Sequence, residues 1–243
     1  MATVLVPGFM LDADLWGDII DDLAPFGPIV HADPTRGDTI EAMASETLKI
    51  APERFDLIGF SMGGYVARAI QRLAPERVGR LVLIATSARG DGEIQAQRKL
   101  AMSGAELPRF RGISRQSIRK SLSPQREGDA ALVERIRDMS LRLGGETFHR
   151  QARLRREDDL DRLASIACPT LIVAGSEDRL RSLDEARELK RAIWASELRV
   201  IEAGHMIPLE APRVLSAAVT TFLNGGPGDE RQARIGPDEG NGA

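Results

Sequence analysis

The stretch Gly59-Phe60-Ser61-Met62-Gly63-Gly64 stands between Phe55-Asp56-Leu57-Ile58, an apolar run with strand character, and Tyr65-Val66-Ala67-Arg68-Ala69-Ile70, a helix-prone one. A bare G-x-S-x-G is a weak signal, because so short a pattern arises by chance. Its context gives it weight. A strand that turns sharply into a helix holds the residue at the turn in a strained conformation, and side chains two positions away on either side would collide with the crossing chain. Gly59 and Gly63 remove those side chains. The turn lifts the Ser61 hydroxyl above the carboxyl edge of a sheet, beside a helix N-terminus whose unpaired N–H groups favour developing negative charge. A phosphate-cradling turn also follows a strand, but the phosphate-loop lysine and the spaced G-x-G-x-x-G are both missing here.

Outward from this turn, short runs rich in Val, Leu and Ile alternate with longer stretches of helical period, the pattern of a parallel sheet covered on both faces. Strands are predicted at Thr3–Val6, Pro28–His31, Phe55–Gly59, Arg80–Ala85, Thr170–Ala174 and Glu197–Ile201. Helices are predicted at Leu15–Leu23, Thr39–Ile50, Met62–Ala74, Leu183–Trp194 and Pro212–Leu223. The fold class is α/β, a doubly wound, mainly parallel six-stranded sheet with helices on both faces. Alternation fails between Ala88 and Ser165, where Pro108 and Pro124 break helical segments at Gly92–Ser103, Ser114–Ser121 and Ala130–Leu143. That span is too long for a loop and reads as an inserted helical cap. The expected division is residues 1–88 and 166–224 as core, 89–165 as cap, and 225–243, rich in Gly, Pro and charge, as a disordered tail.

A serine hydroxyl needs a base to act as a nucleophile at neutral pH. The three histidines are His31, at the end of the second strand, His149, in the insertion, and His205, in Ala203-Gly204-His205-Met206 after the last strand. Only His205 combines a loop at the carboxyl edge with a place late in the chain, and it is the candidate base. The base requires a carboxylate that fixes its tautomer. Asp178, in Gly175-Ser176-Glu177-Asp178 after the penultimate strand, gives the order Ser, Asp, His; Glu177 is its rival, and a helix N-cap is the ordinary role for either. The N–H of Met62 faces the oxyanion of an acyl intermediate, and a second donor is expected after the first strand, in Val6-Pro7-Gly8-Phe9-Met10. Phe9 N–H is the expected donor, with Met10 as the alternative.

Composition narrows the classes. The 243 residues are 42% hydrophobic and 28% charged, ordinary for a soluble globular chain, and a net charge of −3 gives no field to gather nucleic acid or anionic lipid. The arginines between Arg98 and Arg162 are interleaved with Asp and Glu and read as solvated helix faces. The single cysteine, Cys168, excludes an intrachain disulfide and reads as a buried small hydrophobe. With no signal-like segment and no apolar run of membrane length, a cytoplasmic protein is expected, with no nucleic-acid or membrane partner. No His, Cys or carboxylate cluster resembles a metal site. Oligomeric state is not fixed by the sequence.

Through Pro7-Gly8-Phe9, the Gly59–Gly64 turn, Gly175–Asp178 and Gly204-His205 with Pro208-Leu209-Glu210 behind it, the chain resembles the α/β-hydrolase family from about Thr3 to Leu223. The resemblance implies a sheet of order 2-1-3-4-5-6, a cap over the site, and cofactor-free catalysis by acylation of Ser61 followed by hydrolysis. Pro7-Gly8 stands where many relatives have His-Gly. Leu180-Arg181-Ser182-Leu183 lacks the proline many carry after the acid, and the first family strands are missing. The implied function is a carboxylic-ester hydrolase with a Ser61-His205-Asp178 triad, acting on a small or medium acyl substrate. Lactonase, carbon–carbon bond hydrolase, thioesterase and perhydrolase share that machinery, and a ligand sensor with the same fold is a further alternative. Aspartate at the Ser61 position, which dehalogenases and epoxide hydrolases carry, is absent. Met102, Leu107, Phe110, Met139, Leu143 and Phe148 are candidates to line the pocket, although their helical spacing favours core packing.

Overall fold

The computed structural model describes residues 1–92 and 110–225. Six strands, β1 (Ala2–Val6), β2 (Ile29–His31), β3 (Phe55–Phe60), β4 (Val78–Ile84), β5 (Thr170–Gly175) and β6 (Ser196–Ile201), pair in parallel in the order β2-β1-β3-β4-β5-β6. Successive side chains of a strand point to opposite faces, so an unbroken apolar run is stable only where both faces are covered. Leu57 and Ile58 of β3, Leu81 and Val82 of β4, and Leu171 and Ile172 of β5 each divide between two separate cores. One core joins Leu5, Ile58, Phe60, Val82 and Val173 to Leu15, Trp16, Leu215 and Val219. The other joins Val4, Leu57, Leu83 and Ile172 to Met43, Val66, Ile70 and Leu189. Each of these large apolar side chains, once fully buried, contributes about 1.5–3 kcal/mol of transfer free energy.

Among the described residues eight α-helices complete the layers: α1 (Ile20–Leu23), α2 (Ile40–Ile50), α3 (Met62–Leu73), α4 (Arg115–Ser121), α5 (Ala130–Arg153), α6 (Leu183–Ala192), α7 (Ile207–Glu210) and α8 (Pro212–Leu223). Side-chain caps start most of the longer ones. Thr39 accepts from Ala42 N–H, Ser114 from Ser117 N–H and Asp129 from Leu132 N–H, while Ser182 and Glu185 form a reciprocal capping box on α6. At α3 the N-cap residue is Ser61, and its side chain makes no capping bond.

The expected helix at Leu15–Leu23 is instead a 3-10 turn at Ala13–Trp16 followed by the short α1. Leu15, Ile19 and Leu23 do face the core, but Asp12 caps Asp14 N–H locally and Gly17 interrupts the run. The expected end of a helix at Leu143 is a kink: Gly144 has φ +77°, and helical structure resumes to Arg153. The helix expected at Gly92–Ser103 and the tail expected at 225–243 fall almost wholly outside the described residues, as do Met102 and Leu107.

The segment between β4 and β5 meets the loop after β1 through charge. Arg135 pairs with Asp14 at 2.9 Å and Asp18 at 2.6 Å, and Arg142 with Asp12 at 2.7 Å and Asp14 at 3.1 Å. No described helix is long and apolar enough to cross a membrane.

Candidate active site

Strand order reverses between β1 and β3, so the loops leaving their carboxyl ends diverge and open a crevice there. Ser61 sits at that crevice with φ 52° and ψ −112°, a conformation costing about 1–3 kcal/mol for a residue with a side chain. Three bonds hold it. Ser61 N–H donates to Ile84 O at 2.8 Å, and Ser61 O accepts from Thr86 Oγ1 at 2.8 Å and from Gly64 N–H at 3.0 Å. The flanking glycines are there for backbone contact: a Cβ on Gly59 would stand 2.5 Å from Gly63 O, and one on Gly63 would overlap Val6 O.

His205 and Asp178 converge on this serine. His205 Nε2 lies 2.9 Å from Ser61 Oγ, and His205 Nδ1 lies 2.8 Å from Asp178 Oδ2. The Asp178 side chain is 1% exposed and its other oxygen accepts from Leu180 N–H at 2.7 Å and Arg181 N–H at 2.9 Å, so the carboxylate is fully engaged. Glu177 points away, accepting from Gln125 Nε2 at 3.1 Å. Phe60 packs beneath the imidazole, ring centres 5.2 Å apart.

The loop bearing His205 is held by a residue whose role the sequence does not disclose. The Glu210 carboxylate accepts from Gly204 N–H at 3.2 Å, Met206 N–H at 3.1 Å and Ser123 N–H at 2.7 Å, while His205 N–H donates to Ser121 O at 2.8 Å. A Cβ on Gly204 would stand 2.6 Å from Leu122 C, so the loop needs glycine to approach the end of α4 this closely. Its only sequence signal is the spacing of Glu210 behind His205.

On the other side of Ser61, Met10 adopts φ 56° and donates its N–H to Gln151 Oε1 at 2.8 Å. Gln151 Nε2 in turn donates to Pro34 O at 2.9 Å. Of the two candidate donors in this loop, Met10 is thus committed, whereas Phe9 N–H has no acceptor among the described residues. Met62 is the first residue of α3, and the opening N–H groups of a helix have no acceptor within it.

Between these groups lies a cavity of about 710 Å³ walled by Phe9, Phe110, Ile118, Ile136, Phe148 and Leu180 among others, with Ser61 and His205 at its surface. Of the lining candidates within the described residues, Phe110 and Phe148 are present, stacked at 4.9 Å, and Phe148 meets Phe9 at 5.8 Å. Met139 is buried in the core instead, and Leu143 does not line the cavity.

The other singled-out residues lie elsewhere. His31 stays at the end of β2, where burial lowers its pKa. His149 touches Phe148, and Cys168, whose thiol burial pushes up to about 11, is no nucleophile at neutral pH. Among the described residues no three His, Cys, Asp or Glu side chains are grouped to hold a metal.

A parallel sheet with a serine, a histidine and a carboxylate joined at its carboxyl edge defines an α/β-hydrolase architecture. The chain belongs to the alpha/beta hydrolase family, whose model matches residues 3–218. It is 31% identical over 208 residues to the AB hydrolase superfamily protein YisY of Bacillus subtilis, covering 78% of this chain and 73% of that one. In structure it is similar to a thermophilic esterase from Thermogutta terrifontis, with TM-score 0.78, 26% identity, and 92% and 89% of the two chains covered. It shares its fold with the enol-lactonase of Burkholderia xenovorans LB400, with TM-score 0.78, 20% identity, and 92% and 91% covered.

Proposed function

We propose that the protein hydrolyses a small or medium carboxylic ester through Ser61, His205 and Asp178 as a catalytic triad. The observation that carries this reading is the continuous chain from Ser61 Oγ to His205 Nε2 at 2.9 Å and from His205 Nδ1 to Asp178 Oδ2 at 2.8 Å, opening on a cavity large enough for such a substrate. With its Nδ1 proton held by Asp178, the ring offers Nε2 as acceptor. As Ser61 Oγ bonds to the ester carbonyl carbon, its proton passes to Nε2, and the carbonyl oxygen takes negative charge facing the N–H groups of Phe9 and Met62. Collapse breaks the bond to the alcohol oxygen, which leaves with the proton from His205. Water then attacks the acyl-enzyme by the same route, freeing the acid and Ser61. The Pro7-Gly8 replacement leaves this intact, since the donor is a backbone group.

The described part of the inserted segment, through Phe110, Ile118, Ile136 and Phe148, acts as a cap over the site, and the lone Cys168 suits a reducing, cytoplasmic setting. An active-site-directed fluorophosphonate labels the wild type and not Ser61→Ala, and only the wild type cleaves short-chain 4-nitrophenyl esters. Equal ester cleavage by Ser61→Ala overturns the mechanism. Labelling of a wild type that cleaves nothing transfers the reading to a ligand sensor.

A further inference from the structure

Among the described residues, two arginines, Arg156 and Arg181, line the otherwise mainly apolar cavity beside Ser61. A guanidinium keeps its charge at any physiological pH, so its place in such a wall calls for an anion. Arg156 has one: its Nε and Nη2 both reach Asp91 Oδ1 at 2.9 Å. Arg181 is differently placed. Of its five N–H donors one meets Glu185 Oε1, at 3.4 Å, and its buried Nε has no acceptor among the described residues. Glu185 is already engaged, its other oxygen accepting from Ser182 N–H at 2.7 Å and Ser182 Oγ at 3.0 Å in the cap of α6.

The Arg181 side chain is also held in place. Its backbone N–H donates to Asp178 Oδ1, so the guanidinium extends from the turn that carries Asp178. It lies 6.0 Å from the centre of the Tyr65 ring, which Arg68 and Arg156 approach at 4.6 and 5.6 Å. Arg68 is neutralised by Asp159 through Nε at 2.9 Å and Nη2 at 3.0 Å, although its Nη1 has no acceptor among the described residues. Strand order places Arg181, after β5, and Phe9, after β1, on opposite sides of Ser61, after β3. The nucleophile therefore stands between an aromatic wall of Phe9, Phe110 and Phe148 and a cationic one.

We infer that the substrate carries a carboxylate, distinct from the ester it presents to Ser61, which pairs with Arg181. The inference rests on the serine-hydrolase reading and narrows its substrate class to esters of acids with a second, ionised carboxyl group. A planar carboxylate fits the two-donor fork of a guanidinium. Its single charge matches the one guanidinium of the wall that is weakly paired among the described residues, whereas the nearly double charge of a phosphate exceeds it.

The test compares monoethyl esters of dicarboxylic acids, from succinate to suberate, with ethyl esters of unsubstituted acids of equal chain length. At the best length the wild type favours the carboxylate ester in kcat/KM by about tenfold to a hundredfold. Arg181→Gln brings this ratio near one, chiefly by raising KM for the charged ester, and Arg181→Lys restores part of it. A wild-type ratio of one or less at every length overturns the inference, as does an Arg181→Gln protein that loses both ester classes equally. Calorimetry on Ser61→Ala separates this outcome from failure of the hydrolase reading. There the monoethyl ester binds, and binding weakens at least tenfold on adding Arg181→Gln; equal binding by the two proteins overturns the role of Arg181 even if neither ester is ever cleaved.

Discussion

At the Ser61 turn, backbone meets backbone: Gly59 against Gly63 O, Gly63 against Val6 O, Ser61 N–H on Ile84 O. Across the cavity, α4 and α5 are secured mainly by side chains, with Arg135 and Arg142 on three aspartates, Glu210 on Ser123 N–H, and Gln151 on Met10 N–H. The first arrangement admits almost no substitution, since a carbonyl cannot step aside. The second is assembled from parts that can be exchanged one at a time. Chemistry placed in the rigid region and substrate fit in the adjustable one can change independently.

The largest break in this comparison comes from the rigid side. Asp178→Asn preserves shape but removes the charge behind His205, and kcat is expected to fall about 10⁴-fold with little change in melting temperature. Glu177→Gln, one position away, is the control, with a change of about twofold or less. A reversed pattern in steady-state kinetics would move the acid to Glu177.

Next in size is Gly63→Ala. Its new methyl overlaps Val6 O and stands 2.6 Å from Pro7 O, so urea denaturation should report a loss of about 3 kcal/mol or more. A loss below about 1 kcal/mol would show that the turn yields as readily as the segment facing it.

Glu210→Gln sharpens the comparison where the two regions touch. One carboxylate receives three backbone N–H groups from the His205 loop and the end of α4, and an amide offers only one acceptor oxygen. The expected loss of stability is about 1–3 kcal/mol. Faster hydrogen exchange at Gly204, Met206 and Ser123 should accompany it, and unchanged protection there would argue against the clamp.

The smallest effect belongs to the adjustable side. Arg142 is half-exposed, and Arg142→Ala should shift stability by about 1 kcal/mol or less, an effect that fades in high salt. A salt-independent loss above about 2 kcal/mol would mean that this segment is as rigidly held as the turn.

The same contrast explains which features the amino-acid sequence makes legible. β3, β4 and β5 are legible because burial on both faces demands unbroken apolar runs, and Ser61 because glycines mark the close approach around it. His205 follows from there being so few histidines and Asp178 from its place after β5, although only the folded geometry separates it from Glu177. The Leu15–Leu23 stretch misleads because its i, i+4 leucines and isoleucine describe a buried face equally well when the backbone is a 3-10 turn and a short helix. Phe148 and Met139 carry the same periodic signal on α5, yet one lines the cavity and the other fills the core. Helical spacing specifies a face and not what lies opposite it. Gln151, Arg181 and Glu210 leave still less trace, since each acts on backbone or space brought near by the fold.

Gln151 lines the cavity and also steadies the turn at Met10, tying it through Pro34 to the region after β2. Any change there alters two properties at once, the outline offered to a substrate and the stiffness of the loop that presents Phe9 N–H. In a lineage adapting to new substrates, Ala152 on the same helix lines the cavity without that second duty, and it forms the open route for variation. Gln151 is then a point of constraint inside the otherwise changeable wall, where drift in specificity meets selection for rate.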